Sequence, residues 1–247
     1  MTHGLEYSVA YTWSKALDTA DAYNSSISTL QNRNEFCGPA SFDRTQNFVA
    51  SYIYNFPKLA RASFLDNRVG HVVLNGWEFS GFTTLTSGAP VSISYSGVSS
   101  TKLNREVTGS ETIGPRPVLT GNPNLSPGDR NIYAWFNRAV VLPAVRRSQR
   151  TDSALRPLRG PGVNDFDLSL FKNIYYAHGE GRYIQLRCES LNALNKTQWS
   201  GINTSAIFNA AGVITNLPTA EGGRFGFGAA NAVRSARIVP LAAKFYF

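Results

Sequence analysis

Arginine residues are concentrated in one part of the chain. Residues 98–160 hold nine Arg and one Lys against two Glu and two Asp. Five of these arginines follow one another closely, at Arg146, Arg147, Arg150, Arg156 and Arg159. Because a guanidinium is a planar fork that fits phosphate and carboxylate groups, the cluster predicts contacts with an anionic ligand. The alternative is a solvated loop whose charge serves solubility.

The other reactive side chains are scattered. His3, His71 and His178 are isolated, and Cys37 and Cys188 are the only cysteines. We therefore predict no metal, no cofactor and no catalytic residue, and expect that the protein is not an enzyme. Two interpretations of the cysteines stay open, either unpaired or joined in one disulfide. Charged residues of the predicted strands fall singly on the more polar faces, at Glu6, Glu78, Asp165, Asp167, Arg187, Glu189 and Lys244.

Composition favours a β-rich, turn-rich protein. The formal net charge is +8 and the pI is about 9.7, which first suggests nucleic acid or an anionic surface as partner. Most of the excess lies in one loop-like segment, so we expect no nucleic-acid partner. Charged residues make up only 16% of the chain, while aromatic residues reach 12%. No apolar run approaches the eighteen or so residues of a membrane helix.

Alternation of apolar and polar residues with period two predicts six strands. They span residues 5–15, 44–56, 71–95, 162–176, 182–195 and 234–247. In the first strand the apolar face carries Leu5, Tyr7, Val9 and Tyr11. The opposite face carries Glu6, Ser8 and Thr12. Within the third strand, SGAP at residues 87–90 indicates either a bend or a hairpin turn. In the sixth, Pro240 removes a ladder hydrogen bond and predicts a bulge.

Connector lengths alternate along the chain. Residues 18–41, 101–159 and 196–233 form long connectors, whereas residues 57–70 and 177–181 form shorter ones. Strands of about 9–11 residues or more can cross a hydrocarbon core, and inside lipid their backbone groups must be paired in a closed barrel. The pattern therefore predicts an all-β, antiparallel transmembrane β-barrel segment with long extracellular loops. Six strands make only a partial barrel, because such barrels start at about eight.

Short motif blocks occur in order over nearly the whole chain. They are YTWSKALD (residues 11–18), FDR (42–44), GWEFSG (76–81), SGAP (87–90), RGPG (159–162), DFDLSLFKN (165–173), LNALN (191–195) and KFYF (244–247). In this order the blocks resemble the barrel of Oar-like TonB-dependent receptors. The resemblance implies that residues 1–247 are the C-terminal part of such a barrel, with plug and signal peptide absent from this sequence.

The resemblance also implies location and partners. The intact protein is expected in the bacterial outer membrane as a receptor for substrate uptake, coupled to TonB through the plug region. Outer-membrane lipid and lipopolysaccharide would surround the wall, with lipopolysaccharide phosphates as one anion for the arginines. The barrel assembly machinery would read the terminal aromatics Phe245, Tyr246 and Phe247. The substrate stays open. The alternative function is a secreted carbohydrate- or protein-binding β-sandwich.

Aromatic residues near strand ends predict the two boundaries of the membrane, where amphipathic rings collect. The candidates are Trp13, Trp77, Phe79, Tyr54, Tyr175 and Phe247.

Overall fold

Six long strands form the main sheet. The computed structural model describes residues 4–19, 37–62, 67–96, 116–144, 155–176, 181–219 and 223–247. The long strands are β1 (Leu5–Trp13), β2 (Gln46–Asn55), β3 (Trp77–Thr86), β4 (Val163–Tyr175), β5 (Tyr183–Ser190) and β6 (Leu241–Tyr246). Among the described residues, no helix is long and apolar enough to cross a membrane.

Every long strand pairs antiparallel with its neighbour in the sequence, in the order β1-β2-β3-β4-β5-β6. Within the described residues β1 and β6 each pair on one side only. The long connectors β1–β2, β3–β4 and β5–β6 therefore leave from one end of the sheet. The shorter connectors β2–β3 and β4–β5 lie at the other end, so the predicted alternation is confirmed.

The strand register separates two faces. Odd residues of β1 face the same way as Phe48 of β2, Phe79 of β3, Leu170 of β4 and Leu186 of β5. We call this side the apolar face. The other side, the polar face, carries all seven charged residues that the alternation assigned to it: Glu6, Glu78, Asp165, Asp167, Arg187, Glu189 and Lys244.

The predicted third strand, residues 71–95, is wrong at both ends. It begins inside a helix, α1 (Arg68–Leu74), which the side chain of Asn67 caps by accepting a hydrogen bond from the Gly70 N–H at 2.8 Å. The strand itself ends at Thr86, where the chain leaves the main sheet. Residues 87–90 are therefore neither a bend within one strand nor a hairpin turn.

The predicted bulge at Pro240 is also absent. β6 starts at Leu241, later than residue 234, and an isolated bridge joins Ile238 to Leu191. This bridge keeps the register in which Leu241 faces Cys188. The Glu189 N–H donates to the Pro240 carbonyl at 3.1 Å. Proline therefore lacks only the hydrogen bond that its own N–H would donate, and the strand register does not shift.

The connectors at the long end fold on themselves. Their short strands pair as Leu17–Asp18 with Gly38–Pro39, Pro90–Val91 with Leu158–Arg159, Ser94–Ser96 with Ser205–Ile207, Val118–Leu119 with Val141–Leu142, and Trp199–Ile202 with Ala230–Val233. At the short end a 3-10 helix, Leu59–Ala62, precedes α1.

The main hydrophobic core lies in these connectors, not in the sheet. We call the described parts of the β3–β4 and β5–β6 connectors the loop cap. Its buried core consists of Ile93, Phe136, Val141, Leu158, Ala206, Phe208 and Phe227. Two edge-to-face ring pairs, Tyr95 with Phe208 and Phe136 with Phe227, hold it together at centroid distances of 5.1 Å.

Candidate functional site

A buried carboxylate, Asp43, lies where the long connectors leave the sheet. Its Oδ1 accepts the Ala16 N–H at 2.8 Å, and its Oδ2 pairs with Arg159 Nη2 at 2.7 Å. The Thr45 hydroxyl donates to the same Oδ2 at 3.3 Å. Asp43 is only 2% exposed, so these donors replace the water it would otherwise bind. One side chain thus joins the β1–β2 connector to the strand pair that closes the β3–β4 connector.

Arg159 continues this contact to the start of the β3–β4 connector. Its Nη1 donates to the Gly88 carbonyl at 3.3 Å, and the Gly160 N–H donates to the Ala89 carbonyl at 2.8 Å. A Cβ atom on Gly88 would lie 1.9 Å from the Gly160 oxygen, so the two connector ends approach as only glycine allows.

A second ion pair lies beside the first. Arg156 is 9% exposed; its Nη1 contacts Asp18 Oδ1 at 3.0 Å and donates to the Pro39 carbonyl at 2.6 Å. We call the contacts around Asp18, Asp43, Gly88, Arg156 and Arg159 the motif junction. It joins residues that four of the sequence motifs supply, YTWSKALD, FDR, SGAP and RGPG.

The described members of the predicted anion-binding cluster are thus held by internal carboxylates. Arg156 pairs with Asp18 and Arg159 with Asp43. Arg146, Arg147 and Arg150 lie outside the described residues, so only Arg156 and Arg159 of the five are placed. Contact with an anionic ligand stays a prediction for this cluster. The sequence could not show the pairing, because the two aspartates lie more than a hundred residues from their arginines.

The contacts of the motif junction shift the pKa of Asp43. The hydrogen bond from the Ala16 N–H is the main cause that lowers the pKa of Asp43, with the hydrogen bond and charge of Arg159 adding to it and burial opposing it. In the loop cap, burial alone raises the pKa of Tyr95. The junction therefore holds a stable anion between two connectors.

The polar face carries a cavity and a set of side-chain hydrogen bonds. A cavity of about 470 Å³ opens on it, lined in part by Glu6, Ser8, Ser51, Ser80 and Asp167. Towards the short end, Arg187 donates from Nε to Gln185 Oε1 at 2.6 Å, and Gln185 donates to Asn173 Oδ1 at 2.9 Å. The first of these hydrogen bonds lies within β5, and the second joins β5 to β4.

The apolar face presents large side chains outward. On β1 the exposed fractions are 55% for Leu5, 73% for Tyr7 and 60% for Tyr11. The sequence reasoning missed Lys172, the one charged residue that the register places on this face within the six strands. Its parity, shared with Leu168 and Leu170, was the signal that could have found it.

Most candidate boundary aromatics lie on the apolar face near strand ends, namely Trp13, Tyr54, Trp77 and Phe79. Their position at the membrane boundary stays a prediction. Tyr175 is an exception. It pairs with Tyr183 on the polar face, because its odd position in β4 matches Asp165 and Asp167. Its ring lies 5.4 Å from that of Tyr183.

The terminal aromatics differ in their surroundings. Phe245 lies on the apolar face and is 66% exposed. Tyr246 stacks on Tyr183 at 4.4 Å, and its carbonyl accepts the Tyr176 hydroxyl at 3.2 Å. Phe247 follows the end of β6 and is 98% exposed. Their role as an assembly signal stays a prediction.

Cys37 and Cys188 are both unpaired and exposed, in agreement with the first interpretation of the cysteines. Cys188 lies on the apolar face opposite Leu170 and Leu241. Among the described residues no group of three or more His, Cys, Asp or Glu is placed to hold a metal ion.

An aromatic cleft opens on the loop cap, which sequence reasoning also missed. Its volume is about 280 Å³, and it is lined by Tyr133, Trp199, Phe225, Arg224 and Asn231 among others. Tyr133 and Phe225 are 42% and 59% exposed. These residues come from three separate segments of the connectors, so no local sequence pattern announces the cleft.

A meander of long strands with an outward apolar face, a polar inner face and long connectors at one end defines an outer-membrane β-barrel protein. The chain belongs to the outer membrane beta barrel domain family, whose model matches residues 1–233. No curated protein and no solved structure shows a significant match to the chain. The protein is therefore located in the bacterial outer membrane. The alternative of a secreted β-sandwich is set aside by this membership.

Proposed function

We propose that this chain forms barrel wall and external loops of a TonB-dependent outer-membrane receptor of the Oar-like type. The observation that carries the proposal is the motif junction. Four separate blocks of the resemblance, YTWSKALD, FDR, SGAP and RGPG, supply its contacts through Ala16, Asp43, Gly88 and Arg159. Motifs whose residues contact one another form one structural unit. Such a unit supports an architecture shared with the Oar-like receptors better than isolated sequence matches do.

The proposed topology places the long connectors, and with them the loop cap, outside the cell. Residues 177–181 and the C-terminus would then lie in the periplasm. Outer-membrane barrels typically combine long extracellular loops with short periplasmic turns, and the ends of this sheet differ in that sense. Lipopolysaccharide would surround the outer end of the wall, and TonB would act from the periplasmic side.

The polar face would line the path of the substrate, and the loop cap would meet the substrate first. The aromatic cleft offers Tyr133, Trp199 and Phe225 as stacking surfaces, with Arg224 and Asn231 as hydrogen-bond donors. A cleft of mostly apolar walls with a few polar groups is typical of small-ligand sites. In this proposal the cap selects the substrate and the wall conducts it.

Retention on TonB tests the receptor class. The protein that carries this chain would be extracted from outer membranes in mild detergent and passed over immobilised periplasmic domain of TonB. We expect retention of the heat-modifiable, folded form and release by excess soluble TonB domain. A folded barrel that passes through unretained would contradict the receptor proposal, while membership of the outer-membrane barrel family would stand.

Protease treatment of intact cells tests the topology. Cleavage is expected within the long connectors, for example around Gly128, which is exposed and has open space around it. Protection of that segment in intact cells, with cleavage near residue 178 instead, would reverse the orientation.

A further inference from the structure

Helix α1, in the short β2–β3 connector, exposes an apolar stripe. Val69, Val72 and Val73 are 73%, 41% and 54% exposed. Their spacing of three and four residues places them on one side of the helix. Arg68, His71 and Asn75 follow on an adjacent side, and Gly70 is buried against the protein. A seven-residue helix with an outward valine stripe and a polar flank is amphipathic.

The C-terminal end of α1 is fastened to the apolar face of the sheet. Lys172 Nζ donates to the Val73 carbonyl at 3.1 Å and to the Asn75 carbonyl. Trp77 Nε1 donates to the same Val73 carbonyl at 2.8 Å. The Lys172 ammonium also lies 4.9 Å from the centre of the Trp77 ring. Both anchoring side chains belong to the apolar face by register, so the helix end lies on that side.

These contacts explain how a lysine stays on a lipid-facing surface. A charged side chain in lipid is costly unless it is paired or covered. Lys172 is 8% exposed, and carbonyl groups at the end of α1 accept hydrogen bonds from its ammonium group. The helix therefore covers the one charge of this face and continues the face with its own valines.

The apolar surface is continuous from the strands into this connector. The Phe56 ring lies edge-to-face with Tyr54 of the apolar face, at 4.8 Å between centroids. Phe56 is 39% exposed and Leu59, in the 3-10 helix, is 45% exposed. Exposed Lys58 lies between them. Apolar side chains beside basic ones match the boundary between acyl chains and phosphate headgroups.

We propose that α1 is an interfacial membrane helix, which inserts Val69, Val72 and Val73 into the phospholipid leaflet at the short-connector end of the wall. The three valines contact the acyl–headgroup boundary of that leaflet, and Arg68 and Lys58 lie at the level of the phosphates. The Lys172 and Trp77 contacts fix the depth and angle of the helix. This inference rests on the outer-membrane location and on the proposed topology, and it does not depend on the receptor class.

Spin labels at neighbouring positions of α1 test the insertion. Single cysteines are introduced as Val72→Cys and His71→Cys in the full chain carrying Cys37→Ser and Cys188→Ser. Leu170→Cys on the apolar face reports lipid, and Gly128→Cys in the loop cap reports water. The labelled proteins are reconstituted into phosphatidylcholine–phosphatidylglycerol vesicles. Collision rates of each nitroxide are then measured with oxygen, which concentrates in lipid, and with a water-soluble nickel complex.

We expect the label at position 72 to collide several-fold less with the nickel complex than the label at position 71, and more with oxygen. Its values should approach those at position 170. The inference is overturned if position 72 is as accessible to nickel as position 128 while position 170 stays shielded. Shielding of position 72 from both reagents would also overturn it, because protein and not lipid would then cover the stripe.

Discussion

The wall and the loop cap use apolar side chains in opposite ways. On the wall, Leu241 and Tyr7 are 76% and 73% exposed, and the sheet has no core of its own on that face. In the cap, Ala206 and Phe227 are fully buried. The difference shows that two solvents shape one chain, with lipid completing the packing of the wall and water driving the cap to pack internally.

The motif junction lies between the two regions. Asp43 lies near the end of the β1–β2 connector, and Arg159 precedes β4, so their ion pair lies where the wall passes into the cap. Substitutions in the wall, the cap and the junction should therefore have separable effects.

Removing a ring from the cap core should have the largest effect. Phe227→Ala deletes a fully buried ring that contacts Phe136 at 5.1 Å and should destabilise the cap by about 3–5 kcal/mol. Limited proteolysis at increasing urea concentration would measure the cap, and heat-modifiable mobility would measure the wall. We expect faster cleavage of the cap with an unchanged wall. The matched control is Phe225→Ala, because Phe225 is 59% exposed; equal effects of both changes would show that the cap has no true core.

A charge on the apolar face should break the wall and spare the cap. Tyr7→Arg places a guanidinium in lipid, at a cost of about 2–4 kcal/mol near the middle of the membrane. Ser8→Arg is the matched control, since Ser8 belongs to the polar face. The inserted fraction in outer membranes should fall for the first variant only. Equal tolerance of both would contradict the assignment of the two faces.

Disrupting the motif junction should weaken the contact between the wall and the loop cap without unfolding either region. Asp43→Asn removes the charge that pairs with Arg159 and should cost about 1–3 kcal/mol, the range for a buried polar group that loses its partner. Hydrogen exchange of the amides of Ala16 and Gly160 would report the loosening. Asp129→Asn, in an exposed part of the cap, should leave both amides unchanged. Faster exchange throughout the cap core would instead assign Asp43 to the core.

Acid should reproduce this loosening in the unmodified protein. The pKa of Asp43 is lowered from its ordinary 3.8, so the folded form binds its proton more weakly than the unfolded form. The stabilisation is therefore fully present above about pH 4 and is lost as pH falls through the lower folded-state pKa. The protection of the Ala16 amide, measured as its exchange rate relative to that of the unfolded chain at the same pH, should fall on acidification, and Asp43→Asn should remove that fall. A pH response retained by the variant would point to another carboxylate.

Deleting Phe247 should have the smallest effect on folding energy. The residue is 98% exposed, so its removal costs almost no packing, whereas a fully buried Phe is worth roughly 1.5–3 kcal/mol. If the terminal aromatic is an assembly signal, the inserted fraction should nevertheless fall sharply in cells. Phe245→Leu, which keeps apolar character, should insert normally. An unchanged inserted fraction after the deletion would exclude the signalling role of Phe247.

The wall could be predicted from sequence because its pattern is local. Period-two alternation found all six long strands and the face of every charged residue it considered, from Glu6 to Lys244. It failed where a short apolar run has no clear period. The seven residues of α1, RVGHVVL, are rich in valine and suit a strand by propensity, but the Asn67 cap and the contacts of Lys172 stabilise a helix.

The cap could not be predicted because its partners are distant in the sequence. Leu158 packs with Phe136 and Phe227, although each lies in a stretch full of Pro, Gly and Asn without periodicity. The same holds for the junction, where Asp43 finds Arg159. Such pairings depend on how the sheet brings the connectors together. The motif blocks were the one sequence signal for the motif junction. They identified several of its residues, but not which of these residues contact each other.

The neighbour-only pairing of the sheet sets an order of events in time. Each long strand pairs only with its neighbours in the sequence, so the wall can grow strand by strand without waiting for a distant partner. The cap core, in contrast, joins Ile93 to Phe227 and cannot close until the chain has been placed as far as Phe227. By then only β6 remains to be added. When strands are added from the N-terminus, closure of the cap is thus a late event that coincides with the docking of β6.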